Sequence, residues 1–338
     1  MKRDENRMAR VTLSDVAKAA GVSKMTASRA LREHSDVAAG TRDKVRKIAA
    51  EMGYIPNQMA SMLSAKSVPI IPMIIPSISN NVYADIVAHA QPVLHGAGYQ
   101  MMLINTDYSL GREEQAIEAL MAWSPAALIV SGIEHTDRAR GLLQRAGVPI
   151  VEMMDLPDSP IDLSVGFDHV KAGNEMANYL LNRGYQRFCF CGCQLQMDKR
   201  AYKRFEGFRN VLLAKGAEEP MLIDIDKNDD ILSDADFDRL ISADPAPDCI
   251  YFSNDNLAVS ALLMGAKRGL SVPDDLAIAG FNDISIGRQT MPQLTTTQSP
   301  LGRIGELAAR YALDAIAEKK ISPRSLDLGF KLLPRESA

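Results

Sequence analysis

At 338 residues, with 46% hydrophobic and 24% charged side chains, the chain has room for one large and one small domain with buried cores. Its longest apolar run, 68–78 (VPIIPMIIPSI), is too short for a bilayer and broken by prolines, and the start MKRDENRMAR lacks an apolar signal region, so a cytoplasmic protein is expected. The net charge of −4 is unevenly spread: residues 1–66 hold 13 basic and 7 acidic side chains, the rest 25 and 35, which confines nucleic-acid contact to the N-terminus.

Residues 1–10 read as a disordered tail. Then comes TLSDVAKAAGVSKMTASRALR (12–32), with Leu13, Val16, Ala17 and Ala20 at helical spacing behind an N-cap Thr12 and its partner Asp15. Gly21 supplies the positive φ of a sharp turn, Val22 plugs the gap, and Ser23 caps a second helix over 24–32 with Ala27, Ala30 and Leu31 inward. This is a helix-turn-helix, whose second helix is sized for the major groove. The outer face of that helix holds Lys24, Met25, Thr26, Ser28 and Arg29 and no acid. A third helix is predicted from an N-cap Thr41, with Val45, Ile48, Ala49 and Met52 on one face and Gly53 at its end. Pro56 stops it, and Asn57 can cap a short hinge segment carrying Ala60 and Leu63, too short to stand alone in water.

From Ile70 onward, apolar runs at 70–76, 99–105, 126–132, 149–155, 164–168, 187–192, 221–225, 249–254 and 276–282 alternate with helical patterns, among them 81–95, 113–122, 169–183 and 256–268. Such alternation means parallel sheets covered on both faces, with ligands bound beyond the carboxyl ends of the strands. Those ends are polar but hold no nucleotide loop, nucleophile elbow or His-Glu-x-x-His motif. The histidines His34, His89, His95, His135 and His169 are scattered. Cys189, Cys191 and Cys193 alternate along a predicted strand, where neighbouring thiols on one face stand about 7 Å apart, wide for a zinc with bonds of about 2.3 Å. Buried, inert thiols are expected, and neither metal, cofactor nor catalysis.

VTLSDVAKAAGVSKMTASRAL followed by GYIPNQMASMLS resembles the head and hinge of the LacI family of bacterial repressors. Stretches such as VPIVEMMD, SVGFDH, RFEGF, YFSNDNLAVSAL, GLSVPDDLAIAGFNDISIG and TTTQSP extend the likeness over the body. The resemblance implies an all-α helix-turn-helix head on an α/β body of two doubly wound parallel-sheet lobes of the periplasmic-binding-protein type. Its expected divisions are a head at 11–55, a hinge at 56–67, lobe N at about 68–166 and 298–325, and lobe C at about 167–297 and 326–338. By the same likeness Lys24 and Met25 read bases, while Thr26, Ser28, Arg29, Thr12, Ser14 and Ser23 contact phosphates and further bases. Asn57, Ala60 and Leu63 form the hinge, with Leu63 wedged into the minor groove. Ser61 departs from the arginine many members carry there.

Within the family, S-K-M-T-x-S-R, V-E-M-M-D, E-H-T and L-D-L-G-F are similar to the gluconate and idonate repressors. That implies a sugar-acid effector, with Arg204 on the carboxylate and Asn80, Asn81, Asp155, Asp168, Asn254 and Asp255 on hydroxyls. Tyr83 and Phe167 would stack on the sugar, and Asn282 stands where neutral-sugar binders carry aspartate. Operator DNA and a second copy of the chain are the expected macromolecular partners, a tetramer remaining open. Another sugar, a sugar phosphate or a nucleobase as effector stays open, as does activation in place of repression. From other classes, a sugar-binding protein or a sugar-converting enzyme would share the body.

Overall fold

The computed structural model describes residues 11–31, 36–55, 68–225 and 231–338. The chain divides into two compact units, Met1–Lys66 and Ser67–Ala338.

In the first unit, α1 (Leu13–Ala20), α2 (Lys24–Ala30) and α3 (Ala39–Glu51) enclose a small core of Val16, Ala17, Ala20, Ala27, Ala30, Val45 and Ala49. Thr12 and Asp15 form a reciprocal capping box, the Asp15 carboxylate accepting from the Thr12 backbone N–H at 2.9 Å. Gly21 takes φ 68°, which lets the chain reverse before Ser23 caps α2 by accepting from the Thr26 N–H at 3.0 Å. The third helix corrects the sequence expectation. It begins at Ala39 behind Ala38, which makes no side-chain cap, and the Thr41 N–H already bonds the Ala38 carbonyl at 3.0 Å, placing Thr41 inside the first turn.

The second unit holds two lobes. Lobe N is built on β1 (Ile70–Ile75), β2 (Gln100–Asn105), β3 (Leu128–Ser131), β4 (Ile150–Met153), β5 (Leu163–Gly166) and β11 (Ser325–Asp327), in the order β11-β5-β4-β3-β1-β2 and parallel throughout. Its helices are α4 (Asn81–Gly96), α5 (Leu110–Met121), α6 (Asp137–Gln144) and α11 (Leu301–Ile316). Lobe C is built on β6 (Phe188–Cys193), β7 (Met221–Ile225), β8 (Cys249–Phe252), β9 (Ala277–Asn282), β10 (Thr295–Gln298) and β12 (Lys331–Leu333), ordered β12-β10-β9-β8-β6-β7, with only β12 antiparallel. Its helices are α7 (His169–Asn182), α8 (Lys199–Ala214), α9 (Asp234–Ile241) and α10 (Asp255–Lys267). The chain passes between lobes after β5, after β10 and after β11, the last crossing falling just beyond the expected residue 325.

Alternation along β6 divides its side chains cleanly. Phe188 and Phe190 join the cluster that includes Phe205 and Phe208 of α8, while Cys189 and Cys191 pack with Phe237 and Leu257 from α9 and α10. None of the four cysteines forms a disulfide, and burial pushes the Cys189 thiol up to about 12. The three strands β10, β11 and β12 escape the sequence reading, which took TTTQSP only as a crossover. Thr295, Thr296 and Thr297 are fully buried there, β-branched residues suited to a pleated ladder, and Thr296 donates to the Asp255 carboxylate at 2.6 Å.

Helices α7 and α8 cross backbone to backbone. A Cβ on Gly173 would collide with the Arg204 carbonyl, and one on Gly207 with the Val170 carbonyl. That approach sets the first turn of α7 beside the middle of α8, where His169 meets Arg204.

Candidate functional site

Two regions carry the sequence-derived candidates. On the head, Thr12, Ser23, Lys24, Met25 and Arg29 are exposed and Ser14, Thr26 and Ser28 half-buried, so α2 offers water a mixed polar and apolar face. Met25 stands 66% exposed, an unusual position for an unbranched apolar side chain unless something covers it. Ser23 and Thr26 also share a hydroxyl contact at 2.8 Å. Asn57, Ala60 and Leu63 lie outside the described residues, as does the expected tail at 1–10.

The other region is the cleft between the lobes, where α8 turns a basic row toward lobe N. Arg200 donates to Ser131 Oγ at 2.9 Å and to the Tyr83 hydroxyl at 2.5 Å, both on lobe N. Burial raises the pKa of the Tyr83 phenol, which stays a neutral hydroxyl. Lys203 reaches Asp155 at 2.6 Å and Glu134 at 2.8 Å, bridging the ends of β4 and β3. Burial opposes its charge, but those two carboxylates outweigh burial and raise its pKa. Burial also raises Asp155, against the pull of Lys203.

Arg204 is packed on every side. It donates to the Ser253 carbonyl at 2.8 Å, contacts His169 Nδ1 at 3.0 Å, and lies 3.9 Å over the Phe281 ring. The Met154 carbonyl can only accept, so the 2.8 Å contact fixes the His169 proton on Nε2 and leaves Nδ1 to accept from Arg204. Burial, then the charges of Arg204 and Arg200, hold His169 well below the usual imidazole range. Met154 takes φ 79°, a strained backbone for a long side chain, at the point where its carbonyl meets His169.

The remaining effector candidates do not gather round one point. Asn80, Asp168 and Asn254 cap α4, α7 and α10 through their side-chain oxygens. Asn80 also approaches the Tyr108 hydroxyl at 3.5 Å. Asp255 is turned inward, both oxygens engaged by Thr296 and by the Ile284 N–H at 2.8 Å, and burial lifts its pKa to about 6. Phe167 is a core residue; its ring backs His169 at 4.3 Å and offers no open wall. Asn282 accepts from Ser299 at 3.0 Å and, with Asn81, lines a cavity of about 460 Å³ between α4 and the end of β9.

A second cavity of about 310 Å³ opens where β1, β2 and β3 end against the start of α8, lined by Thr106, Tyr108, Ser131, Glu134, Lys199 and Arg200 among others. None of the expected effector residues lines it. Beneath its Glu113 edge, His135 is fully buried between Glu113 at 2.6 Å and Glu152 at 3.6 Å. Burial works against its charge, but the two carboxylates push His135 up to about 9. Sequence reasoning thus singles out none of Arg200, Lys203, His169, Ser131, Glu134 and Phe281, although Ser131, Glu134, Arg200 and Lys203 fall in stretches following strands, where ligands are expected. The one available signal was the i, i+3, i+4 spacing of Arg200, Lys203 and Arg204, which puts all three on one helix face. Among the described residues no group of His, Cys, Asp and Glu is arranged to hold a metal ion, and no helix is long and apolar enough to cross a membrane.

Comparison with known proteins separates the same two regions. Residues 12–57 match the model described as bacterial regulatory proteins, lacI family, and residues 177–338 match a periplasmic binding protein-like domain. The HTH-type transcriptional regulator GntR of Pseudomonas aeruginosa is 38% identical over 331 residues, covering 97% of this chain and 96% of that one. The HTH-type transcriptional regulator IdnR of Escherichia coli K12 is 32% identical over 329 residues, covering 96% and 97%. A solved transcriptional regulator of the LacI family from Silicibacter pomeroyi superposes with a TM-score of 0.89 at 34% identity, over 97% of this chain and 99% of that one.

Proposed function

Because the chain belongs to the LacI family of bacterial regulatory proteins, and is a DNA-binding transcriptional regulator, we propose that it represses sugar-acid catabolic genes and leaves its operator when a gluconate-type acid fills the cleft. The observation that carries the effector half is the pair Arg200 and Lys203 on α8, bonded to hydroxyls and carboxylates of the opposite lobe. A polyol acid matches such a wall, offering one anion and a row of hydroxyls.

In this reading a homodimer sets two copies of α2 in successive major grooves of a near-palindromic operator, since one short helix reads too few base pairs. Lys24 and Met25 read bases; Thr12, Ser14, Ser23, Thr26, Ser28 and Arg29 hold phosphates and further bases. The hinge residues Asn57, Ala60 and Leu63 take their role from sequence, with Leu63 as the minor-groove wedge. In the cleft, Arg204, Tyr83 and Asp155 stand in the wall, while Asn80, Asn81, Asp168, Asn254, Asp255, Phe167 and Asn282 shape or cap the elements around it. Effector binding changes the lobe-to-lobe contacts of α8, and a differential affinity of about 1.4 kcal/mol between lobe arrangements shifts operator occupancy tenfold.

The test is operator binding by the full chain, titrated with D-gluconate, L-idonate and their keto forms. Weaker DNA binding with at least one of them is expected. Unchanged affinity across the whole set would sink the sugar-acid assignment.

A further inference from the structure

We propose that Arg200, and not Arg204, receives the effector's carboxylate, and that the cleft is balanced for an acid carrying one negative charge. The inference rests on the sugar-acid reading above and names the group that enforces it.

Both arginines are buried, Arg200 at 9% exposure and Arg204 at 4%, and among the described residues neither forms an ion pair with a carboxylate. They differ in what an anion would have to displace. Arg204 has given its two terminal nitrogens to the Ser253 carbonyl and the His169 ring, its face to Phe281, and keeps only Nε without a partner. A bidentate carboxylate needs two N–H groups on one reachable edge. Arg204 is buried to 4% exposure with both terminal nitrogens held by groups that only accept, so displacing either contact would orphan the Ser253 carbonyl or the His169 ring nitrogen. Arg200 has given both terminal nitrogens to hydroxyls, those of Ser131 and Tyr83. A hydroxyl donates as readily as it accepts. A carboxylate arriving there takes the two arginine N–H groups and can be joined by Ser131 and Tyr83 as donors, leaving nothing orphaned. Arg200 also lines the cavity of about 310 Å³, whereas Arg204 does not.

The charges around this point fix the second half of the inference. Arg200, Lys203 and Arg204 bring three positive charges to the cleft, and Glu134 and Asp155 return two, both bound to Lys203. Lys199 and Asp198 on the cavity wall offset each other, while Glu113 and Glu152 share the one cation of His135, a cluster beneath the wall that keeps one negative charge. His169 accepts from Arg204 and adds none. Among the described residues Arg200 therefore stands on the cavity wall without a carboxylate, a place that a single carboxylate fills, while the negative cluster beneath the wall disfavours a second negative charge. A phosphoryl group adds a further −1.5 to −2 or so, with Glu134 already on the wall.

Calorimetric titration of the full chain tests both halves, using D-gluconate, L-idonate and D-galactonate as acids, D-glucitol as the neutral polyol and 6-phospho-D-gluconate as the higher-charge analogue. The native chain should bind its best acid about 30-fold or more tighter than either comparator, the range of a charge-assisted hydrogen-bond pair. In Arg200→Gln the preference of acid over polyol should fall to about threefold or less, and Arg200→Lys should restore part of it. Arg204→Gln should weaken acid and polyol together. Retention of the native preference in Arg200→Gln overturns the proposal, as does equal affinity for the phosphorylated acid. Should Arg200→Gln fail to fold, the native panel decides: glucitol bound as tightly as the best acid refutes it. A native chain that binds none of the three acids removes the sugar-acid reading itself, and this inference with it.

Discussion

Helix α2 and the start of α8 are both helical stretches carrying basic side chains, yet the ligands proposed for them would be met from opposite starting points. Lys24, Met25 and Arg29 of α2 stand in water and contribute nothing to the core of the head. Arg200 and Arg204 of α8 are already dehydrated and Lys203 is half-buried, and all three are bonded to the facing wall or to their own lobe. An exposed cation binds phosphate by releasing counterions, a gain that fades with salt. A buried one gains by geometry prepared in advance and is screened far less. The difference teaches where mutations should be felt: in the cleft as stability, on the head as affinity alone.

The largest effect should come from the cleft side, at His135. Replacing it with Leu leaves Glu113 and Glu152 buried without their shared cation, and urea unfolding should show a loss of about 3–5 kcal/mol. A loss below 1 kcal/mol would mean that the cluster is not part of the lobe's stability. Next in size is a pH effect from the same residue. The folded pKa of about 9 lies above the ordinary imidazole value, so His135 stabilises fully below about pH 6.5 and loses its contribution as pH rises through 9. Unfolding free energy should therefore fall by about 3 kcal/mol between pH 7 and 10, and His135→Leu should flatten that slope. An equal slope in the variant assigns the pH dependence elsewhere. The smallest effect belongs to the head. Lys24→Ala should weaken operator binding by about 1–3 kcal/mol, reduce its salt dependence if the contact is to phosphate, and leave stability within about 0.5 kcal/mol. A head variant that unfolded the chain would erase the contrast.

How far each region could be read from sequence follows the same division. Every contact that shapes α2 is local: Thr12 to Asp15, Ser23 to Thr26, and the left-handed Gly21 between them. Spacings of three or four residues are visible in a linear sequence, and the head emerged with its caps correct except at Thr41. There the helix starts behind an alanine that gives no signal. Most body strands were legible for a similar reason, as continuous apolar runs. β10 was not, because three threonines look polar until they are buried in a ladder, Thr296 bonding Asp255, 41 positions away in the chain. The cleft was the least legible. Arg200 meets Tyr83 across 117 positions and Lys203 meets Asp155 across 48, and no periodicity connects such pairs. Polar strand-end residues were reasonable candidates. Several of them, Asp168 and Asn254 included, turned out to spend their side chains on helix starts, an equally common use of the same chemistry.

The cross-lobe contacts of Arg200 and Lys203 also bear on time. They join the lobes across the cleft, so in the proposed reading a carboxylate that takes up Arg200 parts it from Ser131 and Tyr83. On that reading the exchange of those contacts, and not the encounter alone, sets how fast the acid enters and leaves. A regulator gated in this way averages over brief fluctuations in metabolite concentration and answers to supply that persists.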